Sequence, residues 1–501
     1  MLFLGTDESI RQVPLPENVQ LEFGTHLTAP EHPLYDLVIL DRTPTEPECA
    51  LLHRVTRAHT LFVTEHVEAE RCRDLCRSKL AWELDSHKLA GFLQTQAPWF
   101  FPDSYGEKYQ PQNLSVSGNF TGEVFWDGSR ALRLTGSFGE TMTQAAFWRN
   151  DVPVEEGQTI DFWLEYKKTD GVELSFRVVE FSVGAVADIV DTWDFSEEEI
   201  NRGFSVRARQ KGFLFVSLSA KGSGTLEIIA LHDRHSRGPY GFYMPGGERY
   251  LTSQREEIFC YFDPGDRKPP LNVYFSGYKT REGFEGYHMM RKMGAPFLLI
   301  SDARLEGGAF YMGSAEYEKL MASVLRKYMH KLGFAAKDVI LSGISMGSTG
   351  ALYYGCDIRP HAVIVGKPLA NLGTMAANEK RNRPGGFPTS LDLLLAREGE
   401  LTGEAVGRLD ERFWQKFEHT DWSDTKFIAS YMKEDDYDRS AYDQMVTALS
   451  SGNASIYGRG LHGRHNDNTH GIVQWFSSEF RRILKEDFAA YDNEYRQEVA
   501  E

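Results

Sequence analysis

A serine between two glycines is the feature of this sequence that most directly suggests chemistry. Ser345 stands between Gly343 and Gly347 in the segment that runs from Val339 to Ala351. This Gly-x-Ser-x-Gly pattern is typical of a sharp strand-to-helix turn that projects a serine hydroxyl above a parallel sheet. The glycines leave space where side chains would collide with the neighbouring strand and helix. The pattern predicts a nucleophile for acyl transfer, and a structural glycine turn is the alternative.

A serine hydroxyl at neutral pH needs a base to remove its proton, and the base needs an acid to orient it. In α/β hydrolases the chain order of these groups is serine, acid, histidine. A cluster of carboxylates, Glu434, Asp435 and Asp436, follows the predicted strand 427–431. We select Asp435 as the acid, with Glu434 and Asp436 as alternatives.

Three histidines follow the acid cluster and precede a long predicted helix. A catalytic histidine in this architecture lies on the loop between the last strand and the last helix. His465 fits that position, because Asn468 and Thr469 after it are good helix-capping residues. His470 would already lie in the first turn of the helix, so we favour His465 over His470 and place His462 third.

Acyl transfer also needs backbone N–H groups that stabilise the developing oxyanion. Met346, directly after the nucleophile, is expected to supply one of them. The loop after an early strand should supply the other, and there Gly277 permits close backbone approach and Tyr278 is the expected donor. The alternative is that Gly277 is a turn residue without catalytic meaning.

The surrounding pattern from about residue 250 alternates strands and helices, which indicates a parallel sheet covered on both faces. An amphipathic helix is predicted at 314–332, with Ser314 as its N-cap and Gly333 as its stop. The candidate strands are Ile258–Phe262, Asn272–Phe275, Phe297–Ser301, Val339–Ser342, Ala362–Val365, Phe427–Tyr431 and Ser455–Tyr457. We therefore predict an α/β class, with an α/β-hydrolase-like catalytic domain at residues 236–501.

Two further domains are predicted before the catalytic one. Residues 1–108 indicate a small α/β domain, with strands at 36–41 and 60–64 and a helix at 66–90. Residues 109–235 change to period-two alternation, which favours a β-sandwich that could resemble carbohydrate-binding modules. In this sandwich Trp126, Trp148 and Trp163 could stack on sugars, although packing within the core is the favoured interpretation.

Bulk composition restricts the classes of function. The net charge is −17, from 55 basic and 72 acidic residues, which disfavours binding to nucleic acid or to anionic lipid. The five cysteines are odd in number and mostly far apart, which argues against a disulfide framework, and the start of the chain lacks a secretory-signal pattern. These features predict a cytoplasmic protein. Metal-binding and cofactor-binding motifs are absent from the sequence, so we expect no metal and no cofactor.

Four segments together resemble a known family. They are Phe275-Ser-Gly-Tyr278, Gly343-Ile-Ser-Met-Gly347, Tyr431-Met-Lys-Glu-Asp-Asp-Tyr-Asp438 and Gly463-Arg-His-Asn-Asp-Asn-Thr469. The sequence is similar over its full length to the accessory Sec system protein 2 family of Gram-positive bacteria. The family's serine carries over to Ser345, its histidine to His465 and its acid to the cluster of Glu434, Asp435 and Asp436.

The resemblance implies a cytoplasmic glycan O-acetyltransferase, with peripheral attachment to the membrane through the export complex as a further expectation. Members of the family act on N-acetylglucosamine of serine-rich repeat glycoprotein adhesins and support their export. They work with companion accessory Sec proteins and the accessory Sec ATPase. The acetyl donor is not indicated. A carbohydrate esterase with the same triad and a non-catalytic export adaptor or chaperone are the alternatives.

Overall fold

A computed structural model describes residues 1–100, 106–184, 188–451 and 454–489. Within these ranges the backbone forms three sheets, which follow one another along the chain. The fold is therefore of the α/β class with a separate antiparallel β region. Helices within the described ranges are all too short or too polar to cross a bilayer.

The first sheet is parallel, with the strand order β2-β1-β3-β4-β5. Its strands are β1 (Leu2–Leu4), β2 (Glu22–Gly24), β3 (Val38–Leu40), β4 (Leu61–Val63) and β5 (Trp82–Glu83). Three helices accompany it: α1 (Glu46–Val55), α2 (Arg73–Lys79) and α3 (Leu89–Thr95). The prediction of one helix over residues 66–90 is wrong in extent, because the structure has the short helix α2 followed by strand β5 in this range. Leu80 has a φ of +49°, which ends α2 and lets the chain enter the edge strand β5.

The second sheet is antiparallel and folds over on itself, so that its two layers enclose one apolar core as in a β-sandwich. Two long strands, β9 and β15, run through both layers, and irregular pairing between them bends the sheet. The elements are β6 (Gly106–Tyr109), β7 (Leu114–Val116), β8 (Glu123–Asp127), β9 (Ala131–Trp148), β10 (Val152–Val154), β11 (Thr159–Lys168), β12 (Val172–Ser182), β13 (Ile189–Ser196), α4 (Glu197–Arg202), β14 (Phe204–Arg207) and β15 (Gly212–His235).

The tryptophans of this region divide between core and surface. Trp148 and Trp163 are buried, as the favoured core interpretation predicts. Trp126, on the edge strand β8, is 43% exposed, and its neighbours Val124 and Phe125 are exposed as well. Trp148 and Trp163 therefore have no exposed ring face on which a sugar could stack.

The third sheet has the strand order β16-β17-β19-β18-β20-β21-β22-β23, which is the α/β-hydrolase arrangement. Strand β17 is antiparallel to both of its neighbours, and the pairs from β18 to β23 are parallel. The strands are β16 (Gly247–Leu251), β17 (Glu257–Asp263), β18 (Leu271–Phe275), β19 (Phe297–Ser301), β20 (Val339–Ile344), β21 (Ala362–Gly366), β22 (Lys426–Met432) and β23 (Ile456–Leu461).

Helices cover both faces of this sheet. They are α5 (Tyr287–Arg291), α6 (Ala315–Leu332), α7 (Met346–Ile358), α8 (Leu372–Arg381), α9 (Thr389–Glu398), α10 (Gly403–Glu418), α11 (Ala441–Ser451) and α12 (Thr469–Phe488). One apolar core lies between the sheet and α6 to α11, and a second lies between the sheet and α5 with α12. Central strands such as β18 and β21 are buried at every residue, which explains their continuous apolar sequences.

The sequence-based α/β-hydrolase-like interpretation is confirmed for the C-terminal half. Each of the seven candidate strands from 258 to 457 corresponds to a strand of the third sheet, and α6 begins after Ser314 and ends before Gly333, as predicted. The first strand of the sheet, β16, was not predicted, because Gly247–Leu251 lacks an apolar run. The domain boundaries near residues 108 and 235 stay predictions.

Candidate active site

Ser345 lies at the sharp turn between the centre of the third sheet and helix α7. Strand β20 ends at Ile344 and α7 begins at Met346, so Ser345 alone makes the turn. Its φ is +55° and its ψ is −121°, a conformation that costs a non-glycine residue energy and persists only where the surroundings enforce it. The Ser345 N–H donates to the Gly366 carbonyl at 2.8 Å, which anchors the turn to β21.

The two glycines of the motif are required by close backbone contacts. A Cβ on Gly343 would lie 2.2 Å from the carbonyl oxygen of Gly347. A Cβ on Gly347 would lie 2.1 Å from the carbonyl oxygen of Phe275, at the end of β18. Both contacts involve backbone atoms that cannot move aside without shifting the turn.

Gly347→Ala is therefore expected to destabilise the region built on the third sheet by about 1–3 kcal/mol, the usual range for overpacking. Differential scanning calorimetry of the full chain would show a lower melting temperature. Gly407→Ala is the matched control, because Gly407 lies inside helix α10 with open space where a Cβ would go. That control should be stabilised by up to about 1 kcal/mol. Equal melting temperatures for the two variants would contradict the steric account.

The structure brings Ser345, His465 and Asp435 into one hydrogen-bonded chain. The Ser345 Oγ lies 2.8 Å from Nε2 of His465, and Nδ1 of the same ring lies 2.9 Å from Oδ2 of Asp435. With the ring proton on Nδ1, the imidazole donates to Asp435 and accepts the proton of the serine hydroxyl. His465 is 2% exposed and Asp435 is 7% exposed, whereas Ser345 is half-buried. The imidazole and the carboxylate are thus shielded from solvent, whereas Ser345 is partly exposed.

The other carboxylates of the cluster contact the same loop at different atoms. Asp436 accepts the backbone N–H of His465 at 3.0 Å. Glu434 accepts the Gly463 N–H at 2.6 Å and lies 3.1 Å from His462. Each of them therefore fixes the loop backbone or an exposed ring, and Asp435 is the member that reaches the buried imidazole.

The remaining histidines stand apart from the nucleophile. His462 is exposed and pairs with Glu434. His470 is exposed in the first turn of α12, which begins at Thr469. Among His462, His465 and His470, it is His465 whose ring is hydrogen-bonded to Ser345.

The expected oxyanion donors lie at the start of α7 and on the loop that follows β18. Met346 is the first residue of α7, so its N–H has no partner within the helix. Gly277 lies close to the nucleophile turn, since a Cβ placed on it would be 3.3 Å from the Ile344 carbonyl oxygen. Its own N–H donates to the Glu285 carboxylate at 2.6 Å, which leaves the following N–H, that of Tyr278, as the donor we predict from this loop.

An aromatic wall beside the imidazole was not predicted from the sequence. We define it as Tyr437, Phe387 and Tyr278. The Tyr437 ring stacks on His465 with centroids 4.3 Å apart, and Phe387 stacks on Tyr437 at 5.4 Å. Phe387 also meets Tyr278 edge-on at 5.3 Å. The wall therefore links the His465 ring to the loop that carries Tyr278, and its only signal in the sequence is that Tyr437 follows the acid cluster directly.

Lys367 is a second residue that sequence reasoning missed. It follows β21 directly, and its ammonium donates to the Asp467 carbonyl at 3.2 Å and to the Thr469 hydroxyl at 3.0 Å. Burial lowers the pKa of this lysine, and the Asp435 and Asp467 carboxylates oppose that shift. Lys367 thereby binds the end of the His465 loop and the start of α12 to the end of β21. Its position at the carboxyl end of a central strand was the available signal.

Candidate metal ligands lie elsewhere in the described part of the chain. Glu22, Glu31 and His32 approach one another in the first domain. Glu165, His232 and Glu257 approach one another beside the β-sandwich. Arg234 forms an ion pair with Glu257, so the second group already contains its own cation.

Comparisons with known proteins agree over most of the chain. The profile of a family described as the accessory Sec system GspB-transporter matches residues 20–490. The accessory Sec system protein 2 of Staphylococcus aureus is 40% identical over 400 residues, which are 80% of this chain and 77% of that protein. The Streptococcus gordonii protein of the same name is 36% identical over 502 residues, covering 97% of this chain and 98% of that protein.

A solved structure shares the fold along nearly the whole length. It is a chain of the glycosylation-associate protein (Gap123) complex from Streptococcus agalactiae, with a TM-score of 0.87 and 34% sequence identity. The similarity covers 97% of this chain and 98% of that chain.

Proposed function

The chain belongs to the accessory Sec system protein 2 family, and from that premise we propose that it is a serine-dependent glycan O-acetyltransferase. Its substrates would be N-acetylglucosamine residues of serine-rich repeat glycoprotein adhesins, whose export it would also support. The observation that carries the proposal is the hydrogen-bonded chain from Ser345 through His465 to Asp435. A buried acid, a buried imidazole and an accessible hydroxyl in this order are what nucleophilic acyl transfer requires.

In the first half-reaction Ser345 Oγ attacks the carbonyl carbon of the acetyl donor, and its proton passes to Nε2 of His465. The N–H groups of Met346 and Tyr278 would stabilise the oxyanion of the tetrahedral intermediate. The bond between the acetyl carbon and the leaving group then breaks, and the leaving group takes the proton from His465. Acetyl-Ser345 remains.

In the second half-reaction a sugar hydroxyl attacks acetyl-Ser345 and gives its proton to Nε2 of His465. The ester bond to Ser345 Oγ breaks, and the serine oxygen recovers the proton. The sugar leaves as an acetate ester. Asp435 holds the imidazole in one tautomer and stabilises its protonated form in both halves.

The aromatic wall supports a sugar as the acceptor. Phe387 is half-buried and Tyr278 is exposed, whereas the Tyr437 ring between them and His465 is covered by its stacking contacts. Such rings combine an apolar face with hydroxyl groups at Tyr437 and Tyr278, which suits a ligand that has C–H faces and hydroxyls of its own. A sugar stacked there would also exclude water from acetyl-Ser345.

An esterase that uses the same triad is the rival function, because water can replace the sugar hydroxyl in the second step. Purified full-length chain incubated with an acetyl ester, with and without an N-acetylglucosamine glycopeptide, separates the two. We expect acetylated glycopeptide by mass spectrometry and a fall in free acetate when the glycopeptide is present. Unchanged acetate release with no acetylated sugar would establish hydrolysis instead.

A role as an export adaptor is a second candidate that can coexist with catalysis. The exposed run Val124, Phe125 and Trp126 on the edge strand β8 is suited to contact with another protein. The related Streptococcus agalactiae chain was solved as part of a complex. We therefore propose companion accessory Sec proteins and the accessory Sec ATPase as partners, in the cytoplasm or at the membrane surface. The acetyl donor is left open, and no cofactor is assigned.

A further inference from the structure

A buried cluster of charges joins the β-sandwich to the catalytic sheet at a place that the proposed mechanism does not use. Its central residue is Glu282, on the loop that follows β18. Nε of Arg234 donates to Glu282 at 2.6 Å, and the Tyr243 hydroxyl donates to it at 2.7 Å. The Glu282 N–H donates to the carbonyl of Gly106 at 2.9 Å. The loop of the catalytic domain is thus bound to strands β6 and β15 of the sandwich.

His232 of β15 adds a second cation to this cluster. Its Nδ1 is hydrogen-bonded to Glu282, and its Nε2 lies 2.7 Å from Glu165. A ring whose two nitrogens both face carboxylates is stable as the imidazolium, which donates from both. Burial alone would lower the pKa of His232, but the Glu282 and Glu165 carboxylates outweigh burial and raise it. Arg234 and His232 therefore both contact Glu282 in a region closed to solvent, while Glu257 and Glu165 are their second partners.

Lys108 of β6 binds a second loop of the catalytic domain. Its ammonium donates to the carbonyl oxygens of Ala303 and Leu305, which follow β19. In the same loop Leu305, Phe310 and Tyr311 have φ values between +53° and +61°. Such backbone strain persists only where contacts enforce it.

These two loops border the predicted oxyanion hole. The Lys279 N–H donates to the Gly307 carbonyl at 3.3 Å, and the Tyr311 hydroxyl donates to the Ser276 carbonyl at 2.6 Å. Gly307 lies against the Tyr278 ring, and Gly308 lies against the Met346 side chain, so closely that a Cβ on either would collide. A shift in either loop would therefore move the N–H groups expected to bind the oxyanion.

We name Lys108, His232 and Arg234 the sandwich clamp. We propose that the sandwich clamp positions the two loops that border the oxyanion hole, so that the catalytic rate depends on β-sandwich residues that touch no substrate. The inference rests on the proposed serine-dependent acyl transfer. In this proposal the β-sandwich contributes to catalysis because it fixes the positions of the Met346 and Tyr278 N–H groups before the substrate binds.

The test measures kcat and KM for release of acetate from an acetyl ester by the full chain. Lys108→Met removes both loop contacts, and we expect kcat to fall by about 10- to 100-fold with KM changed by less than about twofold. Lys108→Arg keeps a cation that can reach two carbonyls and should restore most of kcat. Glu282→Gln should resemble Lys108→Met, because a neutral amide removes the one carboxylate that Arg234 and His232 share, although each cation keeps a second partner.

Glu227→Gln is the matched control, since Glu227 is a buried β15 carboxylate whose partners Arg130 and Arg133 belong to the sandwich. It should keep the parent kcat. If Lys108→Met does not fold, the kcat values of Glu282→Gln and Lys108→Arg test the proposal in its place. The clamp is overturned if Lys108→Met or Glu282→Gln keeps kcat within about twofold of an active parent, or if Glu227→Gln loses as much. An inactive parent would overturn the proposed function, and the clamp with it.

Discussion

Ser345→Ala is expected to abolish acetyl transfer, with kcat lower by about 10⁴-fold or more, because the acyl-enzyme cannot form without the hydroxyl. The methyl group of alanine fits where the serine Cβ already stands, so the turn should stay folded. Acetylated glycopeptide and free acetate, both quantified by mass spectrometry, provide the measurement.

Ser423→Ala provides the matched control for this prediction, because Ser423 is an exposed serine at a distant turn of the same domain. It should retain full activity. Adhesin export, followed in cells that carry Ser345→Ala, separates catalysis from the adaptor role: export that continues without acetylation would show two independent functions. Unchanged glycan acetylation by a folded Ser345→Ala chain would refute the catalytic assignment.

Asp435→Asn is expected to lower kcat by about 10⁴-fold while leaving the fold intact. The amide can present an N–H to Nδ1 of His465, and this favours the tautomer whose proton sits on Nε2. In that tautomer the imidazole cannot accept the proton of Ser345. The measurement is acetate release over a range of ester concentrations, so that kcat and KM are separated.

The neighbouring carboxylates are the natural controls for Asp435. Asp436→Asn keeps an oxygen that can accept the His465 N–H, and Glu434→Gln changes a group whose contacts are with His462 and Gly463. Each should lower kcat by less than about tenfold. A larger loss in Asp436→Asn or Glu434→Gln than in Asp435→Asn would transfer the role of the acid to that residue.

Much of the candidate site could be predicted because each part obeys a local rule. The turn at Ser345 needs glycines on both sides, and the contacts of Gly343 and Gly347 explain why. Chain order limited the acid and the base to two short segments. Spacing alone could not choose among Glu434, Asp435 and Asp436, because adjacent residues on a loop can point in any direction. In the structure, the conformation of the loop backbone directs the Asp435 carboxylate toward the His465 imidazole.

The fold was predictable where strands are buried on both faces or alternate cleanly, as in β18 and β12. It was not predictable where a short edge strand carries no apolar run, as in β16, or where one residue ends a helix early, as Leu80 does for α2. In these places local preference is weak and the neighbouring elements determine the conformation.

Local sequence patterns could not predict the contacts between the β-sandwich and the third sheet. The sandwich clamp joins Lys108 and His232 to loops that lie 50 to 197 residues further along the chain. Phe387 reaches the imidazole through Tyr437, and the two residues are likewise 50 positions apart. Such pairings depend on how whole sheets and helices pack, and a charged residue within a strand gives no sign of its partner.

Labelling with a serine-reactive phosphonate, mapped by mass spectrometry on the full chain, tests the central claim most directly. The account predicts one covalent adduct, on Ser345, and labelling that becomes much slower in His465→Gln, because the hydroxyl then lacks its base. An adduct on a different serine, or no adduct on Ser345 in a chain that still acetylates glycans, would contradict it.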